Sequence, residues 1–396
     1  MAISKSISDI MQRGSFIRKM FEEGARLKSI HGVDAVCDFS IGNPDMKPPQ
    51  SFQKTLMEEA AREEPRIHGY MPNAGYPHAR EAVARFASQE QGVELGAENV
   101  LMTCGAGGAL NVALRALVNP GDEVLAPAPC FVEYGFYCNN FGAQLKLVPT
   151  TENFDLNPQA FAQAITEKTA AVIINSPHNP TGRIYPSESL AALAKVLDEA
   201  SERIGRRIYL ISDEPYRKIA YDMPVPPVMA AYAHSLVATS YSKDLSLPGE
   251  RIGYLALHPE AEDGAQLQGA LALCNRILGY VNAPALMQRT VARLQGEAVD
   301  VDVYRRKREK LRTILDDAGF EYSEPQGTFY FWVKSPVEDE QQVVDALKDQ
   351  LILCVPGRGF AGPGWFRISY CVDDEVIERS AAGFQAVGAQ FSSLVD

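Results

Sequence analysis

The sequence predicts an α/β protein: a buried, mostly parallel sheet flanked by helices, joined to a smaller α+β domain. Three observations predict it. Short runs such as residues 170–175 (AAVIIN) and 207–212 (RIYLIS) are almost wholly apolar, the pattern of strands covered on both faces. Helical stretches separate these runs; in residues 187–204, Leu190, Leu193, Val196 and Leu197 recur at helical spacing. The C-terminal third changes pattern, with strands at 328–333 (TFYFWV), 352–355 and 366–371 set among helices at 339–348 and 374–394.

Taken in order, residues 99–103 (NVLMT) read as a strand that runs into a glycine-opened helix, GAGGALNVALRALV. Short strands come next at 123–126 and 144–148. The strand 170–175 ends in a Pro/Asn/Gly turn, then come the helix 187–204 and the strands 207–212 and 236–240. A further strand, 251–257 (RIGYLAL), begins only ten residues after the previous one ends. That connection is too short for a crossover helix, so this strand is expected to run antiparallel. An N-terminal helix around residues 8–30 has no sheet of its own and must pack on the small domain or on another subunit.

The chain has 396 residues, more than one core usually supports, so two to three domains are expected. The net charge of −12 opposes the balance of a nucleic-acid binder, and no nucleic-acid partner is expected. The one basic block, Arg305-Arg306-Lys307-Arg308, is diluted by Glu309 and reads as a solvated helix face. Apolar runs such as 170–174 fall far short of the ~20 residues of a membrane span. The N-terminus carries Asp9, Glu22 and Glu23 and lacks an apolar core, which argues against a secretory signal. Seven cysteines without a CxxC suggest neither a disulfide framework nor a zinc site, and a cytoplasmic location without a bound metal is expected.

Ligands of open α/β sheets bind at the carboxyl ends of the strands, so the residues just past each strand are the ones to read for chemistry. After NVLMT come Gly105, Ala106 and Gly107, entering a helix whose free N–H groups suit a phosphate; a plain strand-to-helix turn reads the same way. After AAVIIN comes SPHNPTG, which fixes Asn179 between prolines or is an ordinary turn. After RIYLIS comes Asp213-Glu214-Pro215-Tyr216. A carboxylate there needs a cationic partner, or Asp213 is a helix cap. After the next strand come Ser240, Ser242 and Lys243, with Arg251 close behind. A lysine just past a buried strand is a candidate for a lowered pKa and imine chemistry, or else a surface lysine. Each feature is ambiguous alone. One cofactor needs all of them: pyridoxal 5′-phosphate requires an amine, a carboxylate for its ring nitrogen, donors to its ring hydroxyl, a phosphate cup and an aromatic plate.

These blocks, with FSIGNPD at 39–45, Tyr70 with Gly75, SYSKDLSLPGERIGY and FRISY at 366–370, resemble the class I/II aminotransferases. These are the fold-type-I pyridoxal-phosphate enzymes related to aspartate aminotransferase. The resemblance covers nearly the whole chain and implies a mostly parallel seven-stranded sheet, with a large domain at 45–285 and a small domain built from 1–44 and 286–396. It implies that Lys243 forms the imine and shuttles the proton, that Asp213 pairs with the ring nitrogen, and that Asn179 and Tyr216 bond the ring hydroxyl. Phe131 takes the stacking position. Gly105, Ala106, Gly107, Ser240, Ser242 and Arg251 form the phosphate cup, which Tyr70 of a neighbouring subunit completes in a homodimer with shared sites. Arg367 clamps the substrate α-carboxylate, helped by Asn179 and Gly42.

The chain departs from the family at Gly107, where many members carry a hydroxyl or basic residue and some use a lysine for a distal carboxylate. Arg276 lies near, but out of register with, an arginine that others supply from the partner, and it also reads as a helix-surface residue. The implied activity is an amino-acid aminotransferase working by a ping-pong mechanism, with aspartate or glutamate and 2-oxoglutarate left open as substrates. The motifs alone also allow a C–S lyase acting by β-elimination, an aldol-type cleavage or, remotely, a non-enzymatic regulator on the same fold.

Overall fold

The computed structural model describes residues 3–5, 7–8, 11 and 16–392. A helix, Phe16–His31, leads to a short strand, β1 (Cys37–Asp38), and helices Gln50–Ala60 and Pro77–Gln91 come after it. Then come β2 (Val100–Thr103), helix Gly105–Leu117, β3 (Glu123–Ala128), helix Glu133–Asn139, β4 (Gln144–Pro149), helix Pro158–Ala164 and β5 (Thr169–Asn175). Helix Ser187–Ile204, β6 (Tyr209–Asp213), β7 (Ser235–Ser240), β8 (Gly253–Leu257) and helix Gly264–Ile277 complete this part.

β2 to β8 form one seven-stranded sheet in the order β2-β8-β7-β6-β5-β3-β4. Pairing is parallel from β7 through β4, whereas β8 runs antiparallel to both β2 and β7. The short connection before β8 thus does what its length requires. Every residue of β5 is buried. Ala171 and Ile173 pack with Leu110, Leu114, Leu267 and Leu271 on one face, Val172 and Ile174 with Leu190, Leu193 and Leu197 on the other. Full burial of such a side chain contributes roughly 1.5–3 kcal/mol, which is why both faces are covered.

The remaining strands are β9 (Tyr322–Ser323), β10 (Tyr330–Lys334), β11 (Ile352–Leu353), β12 (Val355–Pro356) and β13 (Trp365–Ser369). β12-β13-β10-β9 form an antiparallel sheet, and β11 pairs parallel with β1. Helices Val301–Asp317, Glu340–Asp349 and Asp374–Ser392 accompany them. Helix Ala285–Ala292 packs through Met287 and Val291 against Phe52 and Val83, on the side of the large sheet.

Three expectations are corrected in detail, and the N-terminal helix takes one of the two positions expected of it. The single strand at 352–355 is two strands in different sheets, because the chain passes from one sheet to the other at buried Cys354. The strand at 328–333 begins at Tyr330, since Thr328 has φ +66°, a left-handed conformation no strand accommodates. The N-terminal helix is described from Phe16 to His31. It packs on its own chain, Leu27 meeting Val36 and Leu353 and Lys28 pairing with Asp38 at 2.7 Å; residues 9–10 and 12–15 of the expected helix, like 393–394 of the last one, lie outside the described residues. The basic cluster is a solvated face only in part: Arg306 is exposed and Arg305 half-buried, but the other two are not. Lys307 is buried against Asp45, and Arg308 is buried, bonded to Asp222 at 3.0 Å with its guanidinium 4.6 Å from the Tyr221 ring. Among the described residues no helix is long and apolar enough to cross a membrane.

Candidate active site

The carboxyl ends of β5, β6 and β7, the start of β8 and the N-terminus of helix Gly105–Leu117 meet at one edge of the large sheet. Antiparallel β8 brings its first residue, Gly253, beside Ser240 of β7 and Thr103 of β2. Tyr330 and Arg367 from the small sheet and Gly42 from the segment after β1 close the space into a cavity of about 310 Å³. Its wall includes Gly42, Ala106, Gly107, Phe131, Asn179, Asp213, Tyr216, Ser240, Ser242, Lys243, Arg251 and Arg367. Two residues expected in the site stand off it. Gly105 lies beneath, with φ +72°, where an added Cβ would come 2.9 Å from the Arg251 guanidinium. Tyr70 is 93% exposed and does not line the cavity of its own chain, as expected of a residue assigned to a neighbouring subunit's site.

The acid pair at the end of β6 divides its work. Glu214 is fully partnered: Ser212, Gln91 and Arg217 donate to it at 2.7, 2.9 and 3.1 Å. Asp213 accepts one bond, from the Tyr134 hydroxyl to Oδ2 at 2.7 Å, while its buried Oδ1 has no partner. Burial pushes the Asp213 carboxyl up to about 7, against the downward pull of Tyr134. Lys243 donates from Nζ to the Gly42 carbonyl at 2.7 Å. Burial pushes its amine down to about 8, with the positive charges of Arg367 and Arg251 acting in the same direction. Arg367 is buried; it donates to Asn179 Oδ1 at 3.0 Å and to the Ser40 carbonyl at 2.9 Å, and its Nε has no partner. Among the described residues neither Lys243 nor Arg367 has a carboxylate in ion-pairing reach. A buried cation without an anion, facing a buried carboxylate without a cation, marks a site that a charged ligand completes.

Several residues of the wall, and Tyr134 behind it, escaped the sequence reading. Asn175 ends β5 in register with Asp213; its Nδ2 donates to the Asp213 carbonyl at 2.7 Å and its Oδ1 accepts from the Asn179 N–H at 2.6 Å. A polar residue closing an apolar strand was the available signal. Tyr137 places its hydroxyl 3.0 Å from where a Cβ on Gly107 would sit, filling the space a larger side chain would take. Tyr134 and Tyr330 gave no signal beyond being aromatic.

The family model for aminotransferase class I and II matches residues 34–384. The chain belongs to this family. It is 30% identical over 352 residues to a probable aspartate aminotransferase of Methanocaldococcus jannaschii, with 87% of this chain and 91% of that protein covered. It is 31% identical to an aspartate/prephenate aminotransferase of Thermus thermophilus, with 90% and 91% covered. Among solved structures, an amino transferase from Eubacterium rectale superposes with a TM-score of 0.95 at 39% identity, covering 99% of both chains. The Thermus thermophilus aspartate aminotransferase with maleate gives 0.87 at 26% identity, covering 98% of this chain and all of that one. The fold is therefore fold type I, and the chain is an amino-acid aminotransferase whose cofactor is pyridoxal 5′-phosphate.

The cavity fits that cofactor. The bare Asp213 Oδ1 suits a cationic ring nitrogen, and the depressed Lys243 amine suits an aldehyde. The serine pair (hydroxyls 3.0 Å apart), Arg251 and the first N–H groups of helix Gly105–Leu117, which have no partners within the helix, suit a phosphate.

Proposed function

We propose that the chain moves an amino group between an amino acid and a 2-oxo acid in two half reactions, with aspartate or glutamate as donor. The observation that carries this is the convergence of Asp213, Lys243 and Arg367 in one cavity, none of them paired with another. When bound, pyridoxal phosphate supplies an aldehyde for the amino group and a ring that withdraws electrons from the substrate α-carbon. Lys243 Nζ, drawn toward neutrality by burial, takes the α-proton and returns it. Asp213 Oδ1 holds the ring nitrogen protonated, and Tyr134 orients that carboxylate. Asn179 and Tyr216 hold the ring oxygen. Phe131 covers one face. Ser240, Ser242, Arg251, Ala106 and Gly107 hold the phosphate. Arg367 takes the substrate carboxylate, beside Asn179 and the Gly42 backbone.

The names of the relatives support aspartate as substrate. Among the described residues the cavity wall carries no cation beyond Lys243, Arg251 and Arg367, so a distal carboxylate needs one from elsewhere. A homodimer would supply it: Arg276 is exposed on helix Gly264–Ile277 beside exposed Leu273 and Ile277, and Tyr70 is offered outward for the partner's phosphate. A cytoplasmic location is part of the same reading, supported by seven unpaired cysteines. So is a division into residues 45–285 and residues 1–44 with 286–396, supported by the separate sheets, with helix Ala285–Ala292 at the border packed on the large one.

The test is a spectroscopic screen of half reactions. Loaded protein should lose its visible band on addition of aspartate or glutamate; bleaching only by alanine, aromatic or sulfur amino acids would overturn that choice of donor. Bleaching by none of them would overturn the proposal. Steady release of pyruvate and ammonia from cystathionine, without lasting bleaching, would reassign the chain to β-elimination.

A further inference from the structure

We propose that Tyr330 is a positioning residue with two separable duties: its ring fixes the plane of Arg367, and its hydroxyl sets the hydrogen-bond donation of Tyr216. This rests on the roles assigned above to Arg367 and Tyr216. Tyr330 opens β10, is buried, and faces the cavity.

The ring duty follows from how Arg367 is held. Its two polar contacts go to one side-chain amide and one carbonyl, both neutral, and its Nε is free. The plane of the guanidinium is set instead by two aromatic faces, Tyr330 at 4.3 Å and Phe360 at 4.7 Å from Cζ. A guanidinium grips a carboxylate through two parallel bonds only when that plane is fixed. The aromatic faces also offset the burial of a charge that has no ionic partner.

The hydroxyl duty follows from proton counting. The Tyr330 and Tyr216 hydroxyls lie 2.8 Å apart, and each phenol owns one proton. When Tyr330 donates to Tyr216, the Tyr216 proton is released for an acceptor in the cavity, and donation through a chain strengthens each bond. The position of the Tyr330 hydroxyl is fixed from the other side by Gly42: a Cβ there would lie 1.9 Å from the hydroxyl oxygen. Gly42 also accepts the bond from Lys243. One side chain therefore touches the residue assigned to the substrate carboxylate, the residue assigned to the ring oxygen, and the segment that holds the lysine.

The experiment uses the loaded enzyme and two readouts. The first is the pH midpoint at which its visible band titrates without substrate. The second is the dissociation constant of L-aspartate, or of the first donor in the screen that bleaches the band, from saturation of the half reaction. Tyr330→Phe keeps the ring and loses the hydroxyl. Tyr216 donation favours the ionised ring oxygen, so weaker donation raises the midpoint, by about half a pH unit, while the donor constant stays within about twofold. Tyr330→Leu also loses the aromatic face and raises the donor constant about tenfold. Tyr330→Met, longer and more adaptable, replaces it if Tyr330→Leu does not fold. In a Tyr216→Phe background, adding Tyr330→Phe gives no further midpoint shift, a result that general loosening of the site would not produce. An unmoved midpoint in Tyr330→Phe, or an unmoved donor constant in the ring-deleted variant, overturns the proposal. Tyr216→Phe and Arg367→Lys are the controls. If these leave the midpoint and the donor constant unchanged, it is the assignment of Tyr216 and Arg367 that fails.

Discussion

The Tyr134 hydroxyl donates to Asp213 Oδ2 at 2.7 Å, 79 residues away in sequence, and leaves Oδ1 bare. The bond favours the ionised carboxylate in a setting where burial opposes it. Tyr134→Phe should therefore weaken cofactor binding about tenfold, the scale of a hydrogen bond to a charged group. Titration of cofactor-free protein with pyridoxal phosphate measures this. Unchanged affinity would remove Tyr134 from the site.

The two shifted groups predict how cofactor protection varies with pH. The folded value of Asp213, about 7, lies above its ordinary value of 3.8, so its contribution to stability is full below about pH 4 and is lost as pH rises through about 7. The folded value of Lys243, about 8, lies below its ordinary 10.5, so its contribution is full above that value and is lost as pH falls through about 8. Cofactor-free protein thus carries both penalties most heavily near neutrality, and a bound cationic ring nitrogen relieves that of Asp213. The rise in unfolding temperature on loading should be larger at about pH 7.5 than at about pH 5.5. Asp213→Asn should remove most of that difference. Equal gains at both pH values in the unmodified protein would contradict the argument.

Gly42→Ala tests the close approach of Tyr330. The new Cβ would drive the Tyr330 hydroxyl away from Tyr216. We expect a stability loss of about 1–3 kcal/mol by chemical denaturation and weaker donor binding. Adding Tyr330→Phe, which removes the clashing oxygen, should restore part of the stability. Additive losses in the double variant would mean that Gly42 is needed for another reason.

Lys243→Ala should abolish transamination and leave bound cofactor without the band of the unmodified protein. Wild-type turnover in that variant, measured by coupled assay, would show that another amine does the work.

What the sequence made legible was the chemistry that sits where strands stop. Asp213 and Lys243 are polar residues at or just beyond the ends of apolar runs, and a charge in that position has no bland explanation once several of them agree. Arg367 was readable only through the resemblance, because it stands mid-strand in β13. Tyr134 and Tyr330 were not legible at all. Tyr330 sits in TFYFWV, where a tyrosine packing a core and a tyrosine supporting an arginine look alike until the neighbour across the strand is known. The basic cluster failed for a related reason: Asp45 and Asp222, which bury Lys307 and Arg308, are 262 and 86 residues away in sequence.

The reversed strand β8 has a consequence for binding entropy. A wholly parallel sheet offers only strand exits at its ligand edge. Turning one strand round lets an exit and an entry meet there, so Lys243 and Arg251 sit on a single connection between β7 and β8. On the roles proposed above, with Lys243 as covalent anchor and the Arg251 cation as grip on the phosphate, the distance between the two grips is settled when that connection folds. The incoming cofactor then finds both ends of its seat already aligned and loses less freedom in being held.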